Sequence, residues 1–402
     1  MTTSIQDVYV VAACRSPVTK APRGAFRHVR PDDLLAHCLR GALAQAPKLD
    51  PARIDDCVIG CAMPESSQGM NVARISVLLA GLPQSIAGQT VNRFCASGLQ
   101  AIATAAARIR LGEAQLMLAG GVESMSQVPM MGHRPAFNPR LFEDGMQGDE
   151  VGVAFGMGLT AERVARRWQV PREAQDAFAF ASHQKALAAQ ASGELMRSAL
   201  PFEVTERHPD PATGAVALRR RLVDADEGPR ADTSLEALAK LRPAFSRDGT
   251  VTAGNSSQTS DGAAALLLAS SQAVREFDLS PLARFKGFAV AGVAPEVMGI
   301  GPVAAVPKAL EQAGIALDRL DWIELNEAFA AQALAVIQEL TLDPAKVNPL
   351  GGAIALGHPL GATGAIRTAM LLHGLRERGQ KYGMVTMCIG TGMGAAGIFE
   401  AL

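Results

Sequence analysis

Strand-like apolar runs and helix-length segments alternate along this chain, and the alternation comes round twice. It reads run 8–13, helix 31–46, run 58–62, helix 71–80, run 90–94, helix 99–111 and run 116–120. Near the C-terminus a similar order returns: strand 284–293, helix 302–313, strand 322–325, helix 328–340, a glycine-rich loop, helix 363–378 and strand 382–387. Such alternation demands layers, because each apolar sheet face must be covered by the apolar stripe of a helix. The repeat also shows in detail. Leu49-Asp50-Pro51-Ala52-Arg53-Ile54-Asp55 stands before one strand and Leu317-Asp318-Arg319-Leu320-Asp321-Trp322 before another, at a spacing of roughly 270 residues. Two copies are too few for a solenoid, so the expectation is an α/β fold of two packed, pseudo-symmetric halves.

The interval from about Ser124 to Arg247 interrupts the pattern with Pro-, Met-, Arg- and Gly-rich stretches beside helical segments 161–168 and 171–192. It reads as an inserted loop domain lying over the active site. With 402 residues, 48% hydrophobic and 4% aromatic, the chain can build two or three cores from Ala, Val, Leu and Ile. A net charge of −1 gives no reason to expect nucleic acid or an anionic membrane as partner, so an anionic ligand needs a local cluster. No apolar run is long enough for a membrane span. The start shows no signal-peptide pattern and Phe399-Glu400-Ala401-Leu402 is no peroxisomal signal, so a cytoplasmic setting is expected. Six cysteines without a zinc-type CxxC pair are expected to be reduced, with no metal; Cys57 and Cys61 read as core.

Three segments carry chemistry. Cys95 lies in Val91-Asn92-Arg93-Phe94-Cys95-Ala96-Ser97-Gly98, where a strand gives way to a helix. A thiol at a helix N-terminus is expected to have a lowered pKa: about 3% thiolate at pH 7 for an ordinary thiol, about three quarters at a pKa of roughly 6.5. The second segment, Asn348 to Ala365, is glycine-rich and presents His358 between Gly357 and Pro359. Imidazole exchanges protons near neutral pH, and glycines let backbone approach a ligand. In the third, Cys388 ends a strand and is followed by Ile389-Gly390-Thr391-Gly392-Met393-Gly394. Two thiols and one imidazole on glycine-flanked turns suit covalent acyl transfer with a separate acid/base.

With Ala119-Gly120-Gly121-Val122-Glu123-Ser124-Met125-Ser126, Thr252-Ala253-Gly254-Asn255-Ser256-Ser257 and Asn326-Glu327-Ala328-Phe329, these segments resemble the thiolase family over nearly the full length, specifically its degradative 3-ketoacyl-CoA branch. The resemblance implies a thiolase-like α/β fold of two αβαβα-layered halves. Its divisions are an N-terminal half over 1–123, completed by 248–275, a CoA-binding loop domain over 124–247 and a C-terminal half over 276–402. It implies thiolytic cleavage of 3-ketoacyl-CoA, in fatty-acid β-oxidation, by a homodimer or homotetramer without a permanent cofactor; coenzyme A is substrate. Cys95 is the implied nucleophile, Cys388 the proton donor to C2, and His358 the acid/base. Asn326 with His358 forms one oxyanion site, and the N–H groups of Cys95 and Gly390 the other. The resemblance also brings Arg230 and Ser257 to the CoA nucleotide and pantetheine, and Met157 and Phe329 to the acyl-pantetheine pocket.

Other readings exist. Asn326 suits the N-cap of the following helix; Arg230 and the run Arg219-Arg220-Arg221 suit a solvated face; Met157 and Phe329 suit core packing. Gly392-x-Gly394-x-x-Gly397 matches a dinucleotide fingerprint, yet the five residues after it leave no helix for a pyrophosphate. An acetoacetyl-CoA thiolase working in the biosynthetic direction is the alternative activity. Acetoacetyl-CoA-specific relatives usually carry histidine before the Met-Gly where this chain has Gly156, which implies room for medium or long acyl tails.

Overall fold

The computed structural model of the chain describes residues 5–142 and 149–402. Thr2-Thr3-Ser4, and residues 143–148 of the expected insertion, lie outside the described residues. The strands are β1 (Val8–Arg15), β2 (Thr19–Lys20), β3 (Asp56–Gly60), β4 (Ala87–Val91), β5 (Leu116–Ser124), β6 (Phe202–Pro209), β7 (Val216–Val223), β8 (Ser260–Ser270), β9 (Ala283–Gly292), β10 (Trp322–Leu325), β11 (Tyr382–Ile389) and β12 (Met393–Ala401). The helices are α1 (Pro31–Ala44), α2 (Val72–Leu79), α3 (Ser97–Arg110), α4 (Met157–Arg167), α5 (Arg172–Ala191), α6 (Leu235–Ala239), α7 (Ser271–Glu276), α8 (Gly301–Ala313), α9 (Ala330–Leu340), α10 (Ala353–Leu356) and α11 (Leu360–Glu377).

The two halves obey one pairing rule. In the first, β1, β8 and β5 pair antiparallel in that order, then β5, β3 and β4 pair parallel. In the second, β9, β12 and β11 pair antiparallel, β10 joins β11 in parallel, and a parallel bridge from Ile323 to Val347 stands in the fifth place. A short antiparallel contact of Tyr9 and Val10 with Arg284 and Ala283 joins the two sheets edge to edge. The repeated sequence motif does the same work in both: Asp55 accepts from the backbone N–H groups of Gln115 and Leu116, and Asp321 from those of Lys381 and Tyr382.

Five layers follow from the packing. Residues of α1 and α2 cover one face of the first sheet, and residues of α8 and α9 one face of the second. The inner faces of both sheets share a single core with α3 and α11. A helix between two sheets must be apolar all round, and fifteen of the eighteen residues of α11 are buried. The two helices touch through backbone. A methyl added at Gly98 would stand 2.8 Å from the Ala365 nitrogen, and one at Gly364 2.4 Å from the Leu99 nitrogen.

Some boundaries differ from expectation. The strand expected over 90–94 ends at Val91, since Phe94 turns the chain with a φ of 44°. The helices expected from 99 and 363 start earlier, at Ser97 and Leu360. Strands β8 and β12 run through Gly- and Ala-rich stretches that apolar patterning passes over; small residues stand there because other backbone comes close, as Gly394 does to Gly301. The Gly392–x–Gly394–x–x–Gly397 stretch enters β12, without the helix a dinucleotide needs.

In an exposed helix Gly98→Ala would stabilise by up to about 1 kcal/mol. At this crossing the sign reverses, with an expected loss of about 1–3 kcal/mol from overpacking. Urea denaturation checks it, and an unchanged or raised midpoint would refute the contact.

Candidate active site

Two helix starts converge on one cavity. After β4 the chain passes through Phe94 in a left-handed turn, and Cys95 follows directly before α3. Ser97 holds that turn from both sides, its hydroxyl accepting from the Arg93 N–H at 2.8 Å and donating to the Phe94 carbonyl at 2.7 Å. Asn92 accepts from the Phe94 N–H. His358 stands just before α11, its own N–H directed at the Gln258 carbonyl and the Ser260 hydroxyl. Cys95 and His358 thus hold equivalent places in the two halves. Both line a cavity of about 530 Å³, walled also by Met157, Phe329, Ser257, Gly156 and Phe245.

His358 has one protonation pattern consistent with its partners. Thr363 Oγ1 gives its hydrogen to the Pro359 carbonyl at 3.0 Å, so it accepts from Nδ1–H of His358 at 2.6 Å. That leaves Nε2 bare, accepting from the Asn326 amide at 3.3 Å. Asn326 itself caps nothing, since α9 begins only at Ala330 with Phe329 at its N-cap. Its Oδ1 is buried with no hydrogen-bond partner among the described residues. The loop bearing Asn326 is held from behind: Asn348 bonds both backbone groups of Leu325, and Glu327 accepts from Ser182, Asn348 and the Ile354 N–H.

Cys388 is fully buried at the end of β11, packed in one cluster with Met157 and Phe329. The backbone N–H groups of Gly390 and Cys95 lie near the Cys95 sulfur and favour its thiolate. The segment carrying Ser257 is stitched to the loop after Asn326, through Ser257 N–H to the Ala328 carbonyl at 2.9 Å and Ala330 N–H to the Asn255 carbonyl at 2.9 Å. Arg230 does not reach this cavity. It lines a second one, of about 270 Å³, that meets the first at Gln258.

Comparison with known proteins is decisive at this point. The model of the thiolase N-terminal domain matches residues 8–272 and that of the thiolase C-terminal domain residues 279–401. The chain belongs to the thiolase family. It is 51% identical to the 3-ketoacyl-CoA thiolase of Bacillus subtilis (strain 168), over 98% of this chain and 100% of that one. The crystal structure of the Bacillus anthracis acetyl-CoA acetyltransferase superposes with a TM-score of 0.88 at 39% identity, covering 100% of both chains. That of human mitochondrial 3-ketoacyl-CoA thiolase superposes at 0.87 and 38%, covering 99% of this chain and 100% of the other.

The electrostatics of this thiolase correct one expectation. Instead of falling, the Cys95 pKa is pushed up to about 11, because burial outweighs the N–H groups of Gly390 and Cys95 that favour the thiolate. Burial, with help from the Arg367 charge, pulls His358 down to about 3. Cys388 is raised as well, first by burial and then by Cys95 beside it. The resting site is therefore a neutral thiol and a neutral imidazole lining one cavity. Among the described residues no group of His, Cys, Asp and Glu could hold a metal ion, and no helix is long and apolar enough to cross a membrane.

Several residues of the site escaped sequence reasoning. Thr363 orients His358 and left a faint signal as a hydroxyl one helical turn inside the loop-to-helix junction. Glu123 accepts from the N–H groups of Ala62, Met63 and Gly361 and from Gln68, tying β5 to the start of α11. Its only sequence signal is its place in the Ala119–Ser126 motif. Met130 and Phe245 line the cavity from the interval 124–247, where nothing in the residue pattern marks them.

Alkylation of Cys95 by iodoacetamide should then accelerate about tenfold per pH unit between pH 7 and 10, following the thiolate fraction below its pKa. A plateau reached by pH 7 would reveal a preformed thiolate and overturn the neutral resting pair.

Proposed function

We propose that this thiolase cleaves 3-ketoacyl-CoA with free CoA, yielding acetyl-CoA and a shortened acyl-CoA through an acyl-Cys95 intermediate, in fatty-acid β-oxidation. The single observation that carries the reading is the shared cavity of Cys95 and His358, with Asn326 on His358 and the Gly390 N–H on the sulfur. The 3-ketoacyl-CoA thiolase name of the Bacillus subtilis relative supports the substrate.

In this proposal His358 Nε2 takes the Cys95 proton as the sulfur attacks the 3-keto carbon. Coupling attack to proton transfer answers the high thiol pKa, since no free thiolate has to form first. The C2–C3 bond breaks and Cys388 gives its proton to C2, so acetyl-CoA departs. The proton on His358 resets the Cys388 thiolate. His358 then takes the thiol proton of incoming CoA, whose sulfur displaces Cys95 from the acyl group, and returns that proton to Cys95. Oxyanions are held by Asn326 with His358 and by the N–H groups of Cys95 and Gly390. The pantetheine arm runs past Ser257, Met157 and Phe329 towards Arg230, with the loop domain 124–247 inserted in the N-terminal half (1–123 and 248–275) and packed over the C-terminal half 276–402. CoA is a substrate and no permanent cofactor takes part. A homodimer or homotetramer in the cytoplasm completes the proposal; the edge strand β4, with Ala87 and Gln89 exposed, and Met70, 95% exposed, offer a surface for a second copy, and all six cysteines are free thiols.

Medium or long tails are the proposed substrates. A side chain built at Gly156 meets no atom within 4 Å, so the cavity wall is open there. Each buried methylene contributes up to about 0.8 kcal/mol, so lengthening the tail by several carbons should raise kcat/KM by roughly one to two orders of magnitude. Comparing C4, C8 and C12 substrates checks this, and a steady fall from C4 upward would mean the acetoacetyl-CoA activity instead. Trapped enzyme should carry an acyl mass on the Cys95 peptide, and Cys95→Ala should abolish turnover. Cys388→Ala should keep acyl exchange with CoA while losing carbon–carbon cleavage; equal loss of both half-reactions would overturn that division of labour.

A further inference from the structure

The second cavity holds a cation that the mechanism leaves unused. Lys20 and Arg230 both line it, with His183 and Asp232, and the charges of both cations act on each of these two residues. His183 accepts the Arg230 backbone N–H on Nδ1 at 3.2 Å, and burial together with the Arg230 and Lys20 charges lowers its pKa to about 4, so it stays neutral. Arg230 makes one exposed contact with Asp232, at 3.4 Å. The Lys20 ammonium has no hydrogen bond or ion pair among the described residues.

Both cations sit on segments that are rigidly joined. The buried carboxylate of Asp226 takes two bonds from Arg15, at 2.7 and 2.8 Å, and a third from the Val18 N–H at 2.8 Å. The neighbouring Glu227 accepts from the backbone N–H of Lys20 at 3.1 Å and of Ala25 at 3.0 Å. Gln258 then clamps the Gly228 carbonyl to those of Ile354 and Ala355, at the point where the two cavities meet. Two cations in a cavity that adjoins the one holding Cys95 make a local phosphate site, which the near-zero net charge of the chain as a whole does not provide.

We infer that Lys20, with Arg230 in the same cavity, binds a phosphate of CoA and selects the nucleotide-bearing thiol over phosphate-free thiols. The inference rests on the thiolytic reading above. It assigns Lys20 to substrate recognition and to no proton transfer, so its removal should act on KM and leave kcat alone.

The test uses the whole enzyme with a 3-ketoacyl-N-acetylcysteamine donor, so that the acyl acceptor alone carries phosphates. Lys20→Gln keeps the backbone N–H that Glu227 needs. It should raise KM for CoA about tenfold, the value of one charge-assisted hydrogen bond, with kcat within about twofold. KM for pantetheine should not change, Lys20→Arg should restore the wild-type KM for CoA, and the dependence of that KM on salt should flatten in Lys20→Gln. Dephospho-CoA locates the contact: a retained loss assigns it to the pyrophosphate, an escaped loss to the 3′-phosphate. An unchanged KM for CoA, or an equal rise for pantetheine, overturns the inference. Should the wild-type enzyme cleave no 3-ketoacyl thioester, the thiolytic reading falls, and calorimetric titration of both proteins with CoA still decides the role of Lys20.

Discussion

The backbone crossing of α3 and α11 is the contact on which the rest of the molecule depends. Gly98 and Gly364 let the two helices meet without side chains between them. Both helices lie between the sheets, so the halves can pack only as closely as this crossing allows. Its consequence for chemistry is direct. Each helix begins two residues after a reactive group, Cys95 for α3 and His358 for α11. Bringing the two helix starts together brings the proposed nucleophile and base to one cavity, on equivalent sites of a duplicated fold. Glu123 reinforces the arrangement, since its one carboxylate receives N–H groups from the loop after β3 and from the start of α11.

Burial then sets the chemistry. Burial strengthens each hydrogen bond of the site and disfavours every charge. Cys95 and His358 respond by staying neutral, with pKa values moved in opposite directions, to about 11 and about 3. Such a pair does not spend its reactivity on stray electrophiles at rest. In the proposed reaction the thiol proton moves to Nε2 as the sulfur attacks, and Thr363 makes that nitrogen the one without hydrogen. Outside the cavity, ion pairs have another use: Arg15 and Asp226, both buried, fasten the inserted segment to β1 and hold the second cavity beside the first.

The layered α/β class and the duplication were legible because a sheet with helices on both faces leaves a period in the apolar residues, and because Asp55 and Asp321 cap equivalent turns. The places of Cys95, His358 and Cys388 were legible too, as glycine-flanked junctions. Strands β8 and β12 were not, since β8 is a continuous apolar run without the alternation of a half-buried strand and β12 carries glycines where other backbone comes close. Met130 and Phe245 reach the cavity from an interval without periodicity, so no spacing pointed to them.

By itself the sequence determined which groups are available, two thiols, an imidazole and an amide, and that each would sit on a tight turn at the end of a strand or the start of a helix. Tertiary structure decided their protonation and their company. The helix-start position of Cys95 argues for a thiolate, and the desolvation that overrules it arises from residues far away in the chain. The tautomer of His358 depends on Thr363, the freedom of Asn326 from capping on where α9 begins, and the nearness of Lys20 to Arg230 on a carboxylate pair about two hundred positions from Lys20. Local pattern encodes what a turn can present; solvent exclusion and long-range pairing exist only once the layers have closed.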